Sequence, residues 1–200
     1  QQYGLKVKFI DIDLKTLNIN LEQLKLAITD KTRVILAVNL LGNPNNFKEI
    51  ENIIKQKEII ILEDNCESLG AKFSNQLTGT FGLMGTFSSF FSHHISTMEG
   101  GLITTNEREM YEILLSLRAH GWTRELPEDN LLTDPKNNKF DDNYNFILPG
   151  YNVRPLEIEA AAGIEQIKKI DKMIIARRKN AELLKNELSK QKKLLIQEEI

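Results

Sequence analysis

The chain is 200 residues long and 41% hydrophobic, with 26 basic against 28 acidic side chains and a net charge of −2. That is enough apolar residue to bury a core, and the evenly mixed charge offers no basic stripe to nucleic acid or an anionic membrane. One cysteine, Cys66, excludes an internal disulfide, no apolar run reaches the roughly 18 residues of a membrane span, and no charged-then-apolar leader opens the sequence, so a cytoplasmic protein is expected.

Gln1-Gln2-Tyr3-Gly4 opens without an initiator Met, and the chain is expected to be an excised piece of something longer. Leu5–Asp11 alternates as a strand does. Asn20 is placed to cap a helix over Leu21–Ile28, with Glu22 in its first turn. Arg33–Asn39 is a short apolar run of the buried parallel-strand kind, and Gly42-Asn43-Pro44-Asn45 is turn chemistry. Phe47, Ile50, Ile53 and Ile54 then fall on one face of a helix. Glu58–Leu62 is a second buried strand, ending in Glu63-Asp64-Asn65. Strands alternating with helices in this way predict an α/β fold with right-handed crossovers.

Further strands are predicted within Phe81–Phe91 and over Gly101–Thr105. A helix follows over Glu107–His120, with Ile113, Leu114 and Leu117 on one face. Gly121–Pro149 is polar and aperiodic, the kind of long connection that usually serves a site. Pro155 opens a helix whose Ala160-Ala161-Ala162-Gly163 permits close packing, and a charged helix runs over Met173–Gln191.

Asp64 stands just past a buried parallel strand, where open α/β sheets bind ligands; a plain strand-end turn is the alternative. Glu63 and Glu67 crowd it, which calls for a cationic partner or a raised pKa. Ser88, in Thr86-Phe87-Ser88-Ser89, is a residue type that holds phosphate through hydroxyl and backbone N–H groups, and also an ordinary loop residue. His93 and His94 are adjacent, so on extended backbone they point to opposite sides and make poor joint metal ligands. One of them as a general base, or both as surface loop residues, are the readings left open. Glu99-Gly100-Gly101 implies a sharp turn or a close backbone approach. Arg154 near a helix start opposes the macrodipole and implies an anionic partner, while Asn152 is a plausible N-cap.

Taken together, EDNCESLGA (63–71), GTFSSF (85–90), HHISTMEGGLITTN (93–106), LRAHGW (117–122) and GYNVRPLEIEAAAGIEQ (150–166) resemble the DegT/DnrJ/EryC1/StrS sugar-nucleotide aminotransferases. The resemblance covers essentially the whole chain. It implies an α/β protein: the three-layer α/β/α large domain of the fold-type I pyridoxal-phosphate transferases, mostly parallel, truncated at both ends. Residues 1–170 would be the partial cofactor domain, and 171–200 a helix leading toward a largely missing small domain.

By the same resemblance Asp64 matches the aspartate that pairs with the cofactor's pyridinium nitrogen, and Ser88 the serine that binds its phosphate. Glu67 stands near the phenolic oxygen. Asn152 matches a residue that reaches into a neighbouring subunit's site, implying a homodimer, and Arg154 and His120 are expected to contact the substrate. The family frame F-H-x-x-K-N-I-T-x-x-E-G-G carries a lysine that links covalently to the cofactor; counted back from Glu99-Gly100-Gly101, that position is His93. Such a replacement belongs to sugar 3-dehydratases, in which pyridoxamine phosphate is held without a covalent link and glutamate restores it. An iron–sulfur cluster is not expected, because Gly121–Pro149 has no cysteine. The expected activity is removal of the C3 hydroxyl from a nucleotide-linked 4-keto-6-deoxyhexose, GDP-4-keto-6-deoxymannose foremost, in deoxysugar and O-antigen biosynthesis. The competing readings are an aminotransferase whose lysine lies elsewhere, with Lys72 and Lys136 the nearest and both outside the motif, or an inactive cofactor-binding fragment.

Overall fold

The computed structural model describes residues 2–134 and 143–200; Lys136 and the middle of the long connection lie outside them. Helix α1 (Leu21–Ala27) is capped as its sequence dictates, the Asn20 side chain accepting the Gln23 N–H. Strand β1 (Val34–Val38) leads through a one-turn 3₁₀ segment to helix α2 (Phe47–Ile54), capped by Asn46 on the Glu49 N–H. Strand β2 (Ile60–Asp64) lies parallel to β1. A short hairpin, β3 (Lys72–Phe73) and β4 (Gln76–Leu77), precedes β5 (Met84–Ser88) and β6 (Gly101–Thr104). The main sheet has the order β1-β2-β5-β6; its first three strands are parallel and β6 runs antiparallel to β5.

One face of β1 and β2 is covered by α1 and α2. Leu24, Ile35, Ala37, Phe47, Ile50 and Ile61 form that core, and Phe47 stacks on Phe81 with centroids 4.3 Å apart. The apolar face of α2 read from the sequence is therefore the face that is buried. On the opposite face Val34, Leu36, Val38 and Ile60 stand exposed.

Helix α3 (Arg108–Leu117) fully buries Glu112 and Ser116, while Ile113, Leu114 and Leu117, the apolar face expected of it, are half-buried. The Glu112 carboxylate accepts Arg108 Nε–H at 2.9 Å and the Leu131 N–H at 2.6 Å, so an acid anchors the connection after the helix. Helix α4 (Glu157–Ile167) begins two residues beyond Pro155, and the charged helix α5 is Ile170–Leu188. Ile174 of α5 packs on Gly70, and the tail returns to the first loop, where Gln197 Nε2 donates to the Thr16 carbonyl at 2.7 Å.

Two sequence expectations fail here. Leu5–Asp11 is not a strand: among the described residues it forms no ladder with another segment, and Leu5, Val7 and Phe9 are exposed. Asn152 does not cap α4. The cap position is Leu156, whose N–H goes to Glu159 Oε2 at 2.9 Å, while Asn152 forms an isolated bridge with Ala119.

Candidate active site

The strand register separates the two neighbouring carboxylates. Asp64, the last residue of β2, aligns with Thr86 of β5, so by the two-residue alternation Asp64, Thr86 and Ser88 share the open face. Glu63 aligns with Gly85 and turns into the interior, where it is fully buried. Its Oε2 accepts the Gly79 N–H at 2.6 Å, and its Oε1 accepts the N–H groups of Phe81 and Gly82 at 2.7 and 2.9 Å. The expected crowding of three carboxylates is thus corrected: Glu63 is balanced by backbone dipoles on the other side of the sheet, with no cation paired to it among the described residues.

On the open side, at the carboxyl ends of β1 and β2, a cavity of about 240 Å³ is lined by Val38, Asn39, Leu40, Asp64, Cys66, Glu67 and His93. Asp64 Oδ1 accepts the Cys66 N–H at 3.1 Å. Glu67 Oε2 accepts the Leu41 N–H at 2.8 Å, and Leu41 adopts φ 55 in the turn that presents it. Asn39 is locked in place: its Nδ2 donates to Asn65 Oδ1 at 2.7 Å, and its Oδ1 receives the Asn45 N–H at 2.8 Å. Two apolar walls with a few convergent polar groups form the ordinary pattern of a small-molecule site.

His93 reaches this cavity through a tightly tied loop. Ser88 Oγ accepts the Phe90 N–H at 3.2 Å, and the His93 N–H donates to the Phe90 carbonyl at 3.0 Å. Ser89 and Thr97 hydroxyls bond at 2.7 Å, closing the loop at its neck. Gly100, at φ +134, lies so close to that pair that a Cβ would fall 2.8 Å from Ser89 Oγ. The expectation for the Glu-Gly-Gly turn therefore holds. Gly163 of α4 comes similarly close to the Thr97 methyl, as the run of small residues implies.

The two histidines differ in their surroundings. His93 lines the cavity; His94 does not, and its Nδ1 is enclosed without a hydrogen-bond partner. Burial lowers the His94 pKa, helped by Arg177 of α5 and by His93, while Glu67 pulls the other way.

Asp64, Glu67 and His93 are thus brought together, with Ser88 two residues beyond the Asp64 register partner on the same face. His120, Asn152 and Arg154 gather elsewhere, where the chain after α3 meets the segment before α4. His120 (φ 64) donates its N–H to the Tyr151 carbonyl at 2.7 Å, and Val153 donates to Arg118 at 2.9 Å. None of these three lines the cavity. Cys66 and Asn39 are wall residues that sequence reasoning passed over. Asn39 does carry a signal, since it follows β1 just as Asn65 follows β2.

The DegT/DnrJ/EryC1/StrS aminotransferase family model matches residues 1–199. The chain belongs to that family. Over all 200 residues it is 60% identical to GDP-4-keto-6-deoxy-D-mannose 3-dehydratase of Escherichia coli O55:H7, spanning 52% of that protein. A solved GDP-4-keto-6-deoxymannose-3-dehydratase with a trapped PLP–glutamate geminal diamine superposes at TM-score 0.96 and 59% identity, over 99% of this chain and 52% of that one. A histidine-to-asparagine variant of such an enzyme with bound GDP-perosamine matches at the same score, identity and coverage. The chain therefore spans about half the length of these relatives. Among the described residues no cluster of three His, Cys, Asp or Glu could hold a metal ion, and no helix is long and apolar enough to cross a membrane.

Proposed function

We propose that the protein is a pyridoxamine-phosphate-dependent 3-dehydratase of a nucleotide-linked 4-keto-6-deoxyhexose, with GDP-4-keto-6-deoxymannose as substrate and glutamate as amino donor. The observation that carries this reading is His93: where the family frame has a lysine, an imidazole lines the cavity beside Asp64 and Glu67, and among the described residues no lysine lines it. The 60% identity to a 3-dehydratase supports the same reading.

The donor set suits the cofactor. A carboxylate at a parallel strand end, apolar walls at Val38 and Leu40, and the Ser88 hydroxyl on the same sheet face offer partners for a ring nitrogen, a ring face and a phosphate. When bound, the cofactor supplies the amine that meets the substrate ketone and the electron sink for breaking the C3–oxygen bond. Asp64 would hold the ring nitrogen protonated. His93 would take a proton at C4′ and, as imidazolium, deliver one to the departing C3 hydroxyl. Glu67 would face the phenolic oxygen.

His120 and Arg154 take the sugar or its pyrophosphate, and Asn152 completes the site of a second subunit. A homodimer is supported by the segment 151–158, every residue of which is exposed, including Tyr151, Val153, Leu156 and Ile158. A cytoplasmic setting fits the free thiol of Cys66. The biosynthetic setting that matches this substrate is the making of 3-deoxysugars for surface polysaccharide.

The test is borohydride treatment of the protein, expressed from its complete reading frame and loaded with pyridoxal phosphate, followed by denaturation. All of the cofactor should leave with the small molecules. A reduced adduct retained on a lysine would contradict the proposal and favour an aminotransferase.

A further inference from the structure

The first two strands each end in a buried asparagine: Asn39 after β1 and Asn65 after β2, both 0% exposed. Val38 aligns with Asp64, so the two asparagines come next in register, and their side chains meet. Asn39 Nδ2 donates to Asn65 Oδ1 at 2.7 Å. The Asn39 backbone N–H donates to the Asp64 carbonyl at 3.0 Å, and the Asn65 backbone N–H to the Thr86 carbonyl at 2.8 Å. Asp64 is thus held by its own carbonyl and through the side chain of its neighbour, and the bonds run on to the strand that carries Ser88.

Asn39 lines the cavity, yet its polar atoms all turn inward. Its Oδ1 takes the Asn45 N–H at 2.8 Å and Asn45 Nδ2 at 3.0 Å, and its Nδ2 also faces Glu63 Oε2 at 3.4 Å. Asn65 Oδ1 accepts the Ser68 hydroxyl as well, at 3.1 Å. The Asn39 amide can therefore sit only one way round. Turned over, it would set an oxygen against Asn65 Oδ1 and the Glu63 carboxylate. With donors and acceptor engaged, it has nothing to offer a ligand directly and acts through Asp64.

We propose that Asn39 is a positioning residue for Asp64. Its backbone N–H and its amide pair with Asn65 fix the end of β2, and so the direction in which the Asp64 carboxylate meets the cofactor's ring nitrogen. This rests on reading the cavity as the cofactor site. A buried and fully bonded network is stiff, and cutting it would let the strand end and its carboxylate swing.

The first measurement uses the protein expressed from its complete reading frame, loaded with pyridoxamine phosphate carrying ¹⁵N in the ring. The ring nitrogen is titrated by NMR. In Asn39→Ala its midpoint should fall by about one pH unit from the wild-type value, a tenfold weaker hold on the ring proton. Asn65→Ala removes the same amide pair but leaves the Asn45 bonds in place, so it should show the same shift even where Asn39→Ala does not accumulate. Ile50→Val thins the core on the covered face, and should lower thermal stability without moving the midpoint. An unmoved midpoint in Asn65→Ala, or an equal fall in Ile50→Val, overturns the positioning role.

The second measurement needs no variant and no cofactor. Backbone amide exchange in the wild-type protein should be as slow at Asn39 and Asn65 as within β1 and β2. Exchange at Asn39 as fast as in exposed loops overturns the brace on Asp64. If the wild-type protein binds no pyridoxamine phosphate at all, the cofactor reading itself fails, and the exchange result still decides the brace.

Discussion

His94 keeps its Nδ1 enclosed and unpartnered, with a pKa held down first by burial and then by Arg177 and His93. The folded chain therefore prefers the neutral imidazole, whereas the unfolded chain takes up a proton at about pH 6.5. Stability from this group is complete above that pH and is lost as pH falls below it. His94→Gln should flatten the acid side of a urea-midpoint profile below about pH 6.5; an unaltered slope would rule out His94 as a source of acid sensitivity. Glu63 makes a contrasting case. Three backbone N–H groups converge on its buried carboxylate, and Glu63→Ala would strand them all, at a cost of about 3 kcal/mol in urea denaturation. A loss below roughly 1 kcal/mol would mean that water replaces the carboxylate.

Among the elements, those whose stability is local were legible in the sequence. Helices α1 and α2 carry their own caps and α2 its apolar face, so Asn20, Phe47 and Ile50 announced them. Strands β1 and β2 are short apolar runs of the kind that parallel sheets bury. What the sequence concealed depends on partners far along the chain. Leu5–Asp11 alternates like a strand but forms no ladder among the described residues, and Glu112 looks like a solvent-facing residue until Arg108 and Leu131 close over it. The site shows the same division. Asp64 and His93 were legible from position and motif, while the separation of Glu63 from Asp64 follows only from the alternation of β2 against its neighbours. The junction of α3 with the segment before α4 gives a sharp prediction. Gly121 has φ +85, and a Cβ there would lie 1.7 Å from the Leu148 carbonyl oxygen, so Gly121→Ala cannot be absorbed by side-chain movement. With His120 and Arg154 in the proposed substrate role, the variant should lose substrate affinity through their displacement or fail to accumulate as folded protein; near-normal thermal stability and affinity would contradict the packing.

In the molecule as a whole, the sheet has one covered and one open face. Val34, Leu36, Val38 and Ile60 stand together in solvent, and the segment 151–158 adds a second apolar surface. The 200-residue chain alone should therefore bind a hydrophobic dye strongly and self-associate, while the protein from its complete reading frame should bind little and sediment as a dimer. A monodisperse, dye-silent 200-residue monomer would contradict this. The open face is also where Asp64 and Ser88 point, so the proposed chemistry and the unburied surface coincide on one side of the sheet. The dehydratase proposal is tested most sharply by ammonia release from GDP-4-keto-6-deoxymannose in the presence of glutamate, compared between the complete wild-type protein and His93→Lys. Steady release by the wild type, lost in the variant together with the appearance of a borohydride-trappable lysine link, is the result predicted. No release by the wild type, or an undiminished rate in His93→Lys, would contradict His93 as the group that moves the proton.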